Sequence, residues 1–212
     1  MTQEPSIEIT RLPEKGSTNR AELDALLDEA YIAHVGLVVD GHPLVIPTAV
    51  ARDEDRLLVH GSTGSGWMRV LADGAPACVT VTLLEGLVVA RSAFESSMHY
   101  RSAVVFGSFT PVSVAEKLRA LNLLTDVLIP GRRDEVRAPT ARELSATLVL
   151  AMPIERWSLK ISAKWPEDPD EDVEGDAWAG VVPMRVRYDT PMSAPDLRAG
   201  IAVPNSVNQL NA

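Results

Sequence analysis

Apolar residues recur along this chain with two periods, and the period changes where the architecture is expected to change. Asn19 and Glu22 make a capping-box pair, and Leu23, Leu26, Leu27 and Ala30 follow at helical spacing, which predicts a short helix over 19–30. From there to residue 111 the pattern is that of strands rich in Val, Leu, Ile and Thr. They are Tyr31–Val39, Pro43–Arg52, Arg56–His60, Ala77–Leu84, Leu87–Phe94 and Tyr100–Pro111. Asp40-Gly41, Asp53-Glu54-Asp55 and Glu85-Gly86 punctuate them. The first three are spaced as a meander of hairpins, which favours antiparallel pairing.

One helix, 63–73, interrupts the strands and stops at Asp73-Gly74. A second opens at Ser113 with Glu116, carries Leu118, Leu121, Leu124 and Leu128, and ends before Pro130-Gly131. A third, brief one opens at Thr140 with Glu143. Strands Thr147–Ala163, broken near Pro153, and Trp178–Tyr188 complete the pattern. The chain divides into an arm (1–18), a body (19–190) without internal repeat, and a proline-containing tail (191–212). Mostly antiparallel strands with a few peripheral helices define a mainly β, α+β barrel or sandwich.

Composition narrows the classes without choosing among them. Of 212 residues 46% are hydrophobic and 23% charged, values of an ordinary globular chain with a real core. The single cysteine, Cys78, excludes an internal disulfide and a cysteine-based zinc site. It sits in a Val/Thr strand pattern, so it reads as a packing group and not a nucleophile. No apolar run reaches the roughly 18 residues of a spanning helix, and Met1 to Thr10 lacks the order of a secretion signal. The expectation is a cytoplasmic protein with no membrane partner. The net charge of −9 argues against a nucleic-acid partner. Residues 167–176 hold seven acids and no base, so the body is nearly neutral and this segment reads as a solvated, mobile loop.

The segment His60-Gly61-Ser62-Thr63-Gly64-Ser65-Gly66 lies where a strand gives way to a helix. Its glycines admit close backbone approach, its hydroxyls add donors, and the following helix turns free N–H groups toward it. Arg69, one turn in, adds a charge. These are the requirements of a phosphate monoester; the plain alternative is a flexible Gly/Ser turn. Walker, nucleophile-elbow and dinucleotide patterns all fail here, the first because Trp67-Met68 follows Gly66. Arg101, in Met98-His99-Tyr100-Arg101-Ser102, is a second guanidinium for phosphate or carboxylate, or else a surface arginine. Lys160 and Trp178 suit a flat aromatic ligand, or solvation and packing respectively. Asp168, Asp170 and Asp172 alternate as in a calcium loop, but Val173 and Ala179 stand where Gly and Glu are required. His34, His42, His60 and His99 show no metal-ligand spacing and no catalytic triad assembles, which leaves the chemistry to a cofactor.

Pro43–Ala51, then Leu57–Ser62, then Tyr100-Arg101-Ser102 with Phe106-Gly107, then Trp178–Pro183 occur in an order that resembles the pyridoxamine 5′-phosphate oxidase-like proteins, in the branch of nitroimidazole-resistance proteins. The resemblance spans Thr18 to Pro183. It implies an antiparallel split β-barrel with a few peripheral helices, a homodimer, and FMN at the dimer interface. It places Pro47, Thr48, Ala49 and Val50 along the isoalloxazine, and His60, Gly61, Ser62, Thr63, Gly64 and Ser65 around the ribityl phosphate. Arg69 and Arg101 would neutralise that phosphate, and Trp178 would close the site. The implied activity is an FMN-dependent oxidoreductase acting on a small, electron-poor molecule such as a nitroaromatic. The alternatives are a flavin or haem carrier without turnover and an F420-dependent reductase. His99 stands where family members often carry Asn. The Arg-rich C-terminal signature for vitamin B6 is absent, so B6 oxidation is not expected.

Overall fold

The computed structural model describes residues 6–211; the first five residues of the expected arm lie outside them. The larger sheet contains β1 (Gly16–Ser17), β2 (Ile32–Val39), β3 (His42–Ala49), β6 (Pro76–Val89), β7 (Ser97–Ser108), β10 (Arg156–Ser162) and β11 (Gly180–Pro183). Its order is β1-β10-β7-β6-β2-β3, with β11 on the far end of β6. The smaller sheet, in the order β4-β5-β9-β8, contains β4 (Ala51–Asp53), β5 (Arg56–Ser62), β8 (Thr110–Pro111) and β9 (Thr147–Pro153). Every pairing is antiparallel. The chain passes between the sheets at corners formed by buried Val50, buried Phe109 and the turn at Ile154, and once more through the helical connection between β5 and β6. Two sheets joined in this way, without closure, make a split barrel.

The meander is present where turn chemistry demanded it. Asp40 and Gly41 both have positive φ, the signature of a two-residue hairpin whose twist matches its strands. Helix α1 (Arg20–Glu29) starts where Asn19 accepts the Ala21 N–H, and it buries Leu23, Leu26 and Leu27 between the sheets. Helices α2 (Gly66–Ala72), α3 (Val114–Leu128) and α4 (Ala141–Ala146) also fall at the expected places, with Ser113 and Thr140 as N-caps. Two cores result. The first lies between the sheets around Val35, Val79, Val105, Phe109 and Leu159; the second lies under α3, where Leu124 and Ala120 pack on Leu58 and Ala151.

Five expectations need correction. Pro43–Arg52 is not one strand: it bends at Val50 and its two halves serve different sheets. Glu85-Gly86 is not a turn but a bulge inside the continuous β6. The bulged Glu85 carbonyl accepts the Met184 N–H, and a Cβ on Gly86 would stand 3.0 Å from the Val182 carbonyl oxygen. The glycine therefore admits β11 rather than reversing the chain. β6 then ends at Val89, short of Phe94, and Trp178–Tyr188 contributes only β11. The acidic segment is not a free loop. It contains the one-turn α5 (Asp170–Val173), and the Asp168 carboxylate, 1% exposed, takes the Arg91 N–H at 2.7 Å and its Nη1 at 2.9 Å. The tail ends in α6 (Asn205–Asn208), where buried Ser206 donates through its N–H and hydroxyl to Glu135.

Candidate functional site

The bend at Val50 brings two of the expected site segments together. β4 pairs with β5 through Ala51 and Leu58, and β3, leading into that pairing, touches β5. Pro47, Thr48 and Ala49 thus lie beside the His60 end of β5. β3 is an edge strand with prolines at 43 and 47, and its outer backbone groups face away from the sheet. This edge is available to a planar ligand that bonds to main chain.

The Ser62–Gly66 loop is tightly self-bonded. Thr63 N–H donates to Ala146 O at 3.0 Å, Gly64 N–H to Ser62 Oγ at 3.1 Å and Ser65 N–H to Ser62 O at 3.0 Å. The amides of Thr63, Gly64 and Ser65 therefore already have partners. Ser65 is the N-cap residue of α2 but makes no capping bond with its side chain, so its hydroxyl stays available. Gly61 lies close against α2, where a Cβ would meet Met68 Cγ at 3.0 Å. Arg69 is exposed and makes no ion pair among the described residues.

The remaining sequence candidates separate from this cluster or are already engaged. Arg101 donates through Nε to Glu85 at 2.6 Å and through Nη2 to Glu29 at 2.5 Å, tying β7 to the bulge and to α1. Lys160 donates from Nζ to the Arg11 carbonyl and holds the N-terminal arm. Trp178 is 66% exposed, with its ring laid over Gly180, where a Cβ would stand 2.8 Å from Cζ2. Cys78 is half-buried, with its Sγ against Gly36.

Sequence reading did not foresee a cavity of about 580 Å³ between α3 and the segment leading into β9. Leu121, Leu124, Leu128, Val136 and Leu144 line it, with His60 on β5. The volume is that of an ordinary small-molecule site. His60 Nδ1 is buried without a hydrogen-bond partner, and burial lowers the imidazole's pKa, so the ring is neutral at neutral pH, with one nitrogen protonated and the other carrying a free lone pair. The other histidines differ: His34 and His42 are exposed, and His99 Nε2 bonds to the Lys164 carbonyl at 2.9 Å. The leucine row of α3 was legible, but the cavity needs the 131–147 segment to fold back across it.

Two sheets split in this way, with a main-chain edge beside a hydroxyl-rich loop, define a split barrel. The model of the pyridoxamine 5′-phosphate oxidase family matches residues 19–161, and the chain belongs to that family. Among solved structures it is similar to the FAD and haem binding protein from Mycobacterium smegmatis, at 52% identity over 93% of this chain and 97% of that one, with a TM-score of 0.90. The flavocytochrome Anf3 from Azotobacter vinelandii shares 32% identity over 96% of this chain and 95% of that one, TM-score 0.89. A Bacteroides thetaiotaomicron protein assigned to 5-nitroimidazole antibiotic resistance shares 19% identity over 69% of this chain and 86% of that one, TM-score 0.58, which bears on the fold alone. No curated protein matches the chain.

Among the described residues no group of three or more His, Cys, Asp or Glu is placed to hold a metal ion, and no helix is long and apolar enough to cross a membrane.

Proposed function

We propose that this protein is a flavin- and haem-binding redox protein. The observation that carries the reading is His60: a neutral imidazole, orphaned at Nδ1, in an aliphatic cavity. It occurs in a chain 52% identical to a protein described as binding FAD and haem. The residues fit a haem, since the cavity walls suit an apolar macrocycle and a buried neutral histidine is a haem-iron ligand type. They fit a flavin through the β3 edge at Pro47–Ala49 and the free Ser65 hydroxyl, with Arg69 unpaired nearby in sequence. Of the flavins, the 52% and 32% identical relatives favour FAD or a mixed flavin–haem complement over FMN alone.

When bound, a flavin supplies one- and two-electron exchange and a haem one-electron exchange. The chain's own part is positional. His60 fixes one ligand at the end of β5, and the β3 edge lies beside it on the neighbouring sheet. Leu121, Leu124 and Leu128 give the cavity an apolar wall. No side chain is needed as a nucleophile, and Cys78, packed on Gly36, is not placed as one.

A homodimer is the proposed working unit. Ile32, Val38 and Val45 on the outer part of the β2–β3 hairpin, and Trp178 beyond it, are all more than half exposed and would be covered by a second copy. Small-molecule reduction, including that of nitroaromatics, is an activity to be tried on the loaded protein.

The test is the visible spectrum of the full chain given FAD and haemin. Flavin bands together with a Soret band are expected, and His60→Ala should abolish or shift the Soret band while leaving the flavin bands. A Soret band identical in the His60→Ala variant would overturn the assignment.

A further inference from the structure

We infer that Arg137, held in place by Glu143, anchors a haem carboxylate at the mouth of the His60 cavity. The inference rests on the haem reading above and names the part of the site that reading leaves open. A haem is an apolar plate with two carboxylate arms, and the leucines and Val136 that line this cavity cannot solvate a carboxylate. Among the described residues lining it, Arg137 is the cation and Glu143 the anion.

The donor arithmetic of Arg137 leaves a second fork open. A guanidinium carries five N–H donors in a plane. Arg137 Nη1 donates to Glu143 Oε2 at 2.8 Å and to the Ala138 carbonyl at 3.1 Å, and Nη2 donates to Glu143 Oε1 at 2.6 Å. Those three bonds occupy the end-on fork and the outer Nη1 hydrogen. The Nε–H and the second Nη2–H remain, parallel along one edge of the group, which is the geometry that takes a carboxylate bidentately. One arginine serving two carboxylates is already realised in this chain, where Arg101 holds Glu29 and Glu85 together.

Glu143 makes this fork rigid. Its Oε2 accepts the Thr140 N–H at 2.7 Å while Thr140 Oγ1 accepts the Glu143 N–H, so the capping box of α4 fixes the carboxylate. Those hydrogen bonds and Arg137 lower its pKa to about 2, so the carboxylate that orients Arg137 stays ionised throughout the useful pH range. Glu143 is a positioning residue, and Arg137 is the group that meets the ligand.

The experiment is a Soret titration of the full chain with haemin and with haemin dimethyl ester, whose carboxylates are blocked. In the unmodified protein haemin should bind about tenfold or more tightly than the ester. Arg137→Gln should weaken haemin by about tenfold to a hundredfold and leave the ester unchanged, so the two ligands become equivalent. Glu143→Gln should lose part of that discrimination, and the double variant should be no worse than Arg137→Gln. Equal weakening of both ligands by Arg137→Gln would mean a structural role and overturn the anchor, as would no weakening at all. Binding of neither ligand by the unmodified protein would overturn the haem reading itself, which the His60→Ala spectrum reports separately.

Discussion

Asp53 accepts both arms of the Arg119 guanidinium, at 2.8 and 2.7 Å, across 66 residues of sequence, and with Arg56 it forms the clamp that fastens α3 to the β4–β5 hairpin. The carboxylate is 6% exposed, whereas both arginines reach solvent. Removing the carboxylate leaves Arg119 without its bidentate partner beside Arg56, which keeps only its ion pair with Glu116. Asp53→Ala is expected to cost about 2–4 kcal/mol, read as a lower denaturant midpoint with an unchanged slope. Because α3 forms one wall of the His60 cavity, haem affinity should fall in the same variant.

The same clamp predicts an acid limit. The arginine hydrogen bonds, Arg119 first, hold Asp53 below the ordinary carboxylate pKa despite its burial. A group whose folded pKa is depressed contributes stability that is fully present above its unfolded value and is lost as pH falls through the folded value. Stability of the unmodified protein should therefore drop more steeply below about pH 4 than that of Asp53→Asn. Parallel midpoint curves from pH 6 to pH 3 would show the opposite.

The acidic segment offers a local prediction. Asp168, 1% exposed, is its buried tie, and Arg91 is its partner. Asp168→Ala should release residues 163–176 without unfolding the barrel, since these residues lie outside both cores. Limited proteolysis is expected to cut there many times faster than in the unmodified chain, with the thermal midpoint shifted by only a few degrees.

What the sequence made legible follows from where the information sits. Hairpin turns and helix caps are local, so Asp40-Gly41, Asn19, Ser113 and Thr140 announced their elements correctly. The bulge at Glu85 did not, because Glu-Gly between strands looks like a turn until β11 arrives from about 95 residues away to occupy the glycine. Asp168 resembled its solvated neighbours because its partner lies 77 residues distant. Likewise Arg101 and Lys160 presented the right chemistry for an anion, yet distant carboxylates and a carbonyl had already engaged them. His60 was found by its loop, but the cavity that gives it meaning is made by α3 and the segment after it, and no local pattern encodes that juxtaposition.

The pairing of Gly36 with Cys78 permits the sharpest test of packing in the larger sheet. The two residues stand directly opposite on β2 and β6, and a Cβ on Gly36 would lie 2.8 Å from Cys78 Sγ. The thiol occupies the space that a side chain at 36 would take. Gly36→Ala should then be destabilising by about 1–3 kcal/mol through overpacking, although alanine is otherwise better than glycine in a strand by about 0.5–1 kcal/mol. Cys78→Ala removes the obstructing sulfur and costs little, because the site is only half-buried. In the double variant the obstruction is gone and the alanine preference remains, so stability should return close to that of the unmodified protein. The cycle should show a coupling of about 1–3 kcal/mol, far from the near-zero value of independent sites. Additive losses in urea would mean that the glycine is required by the backbone and not by the thiol.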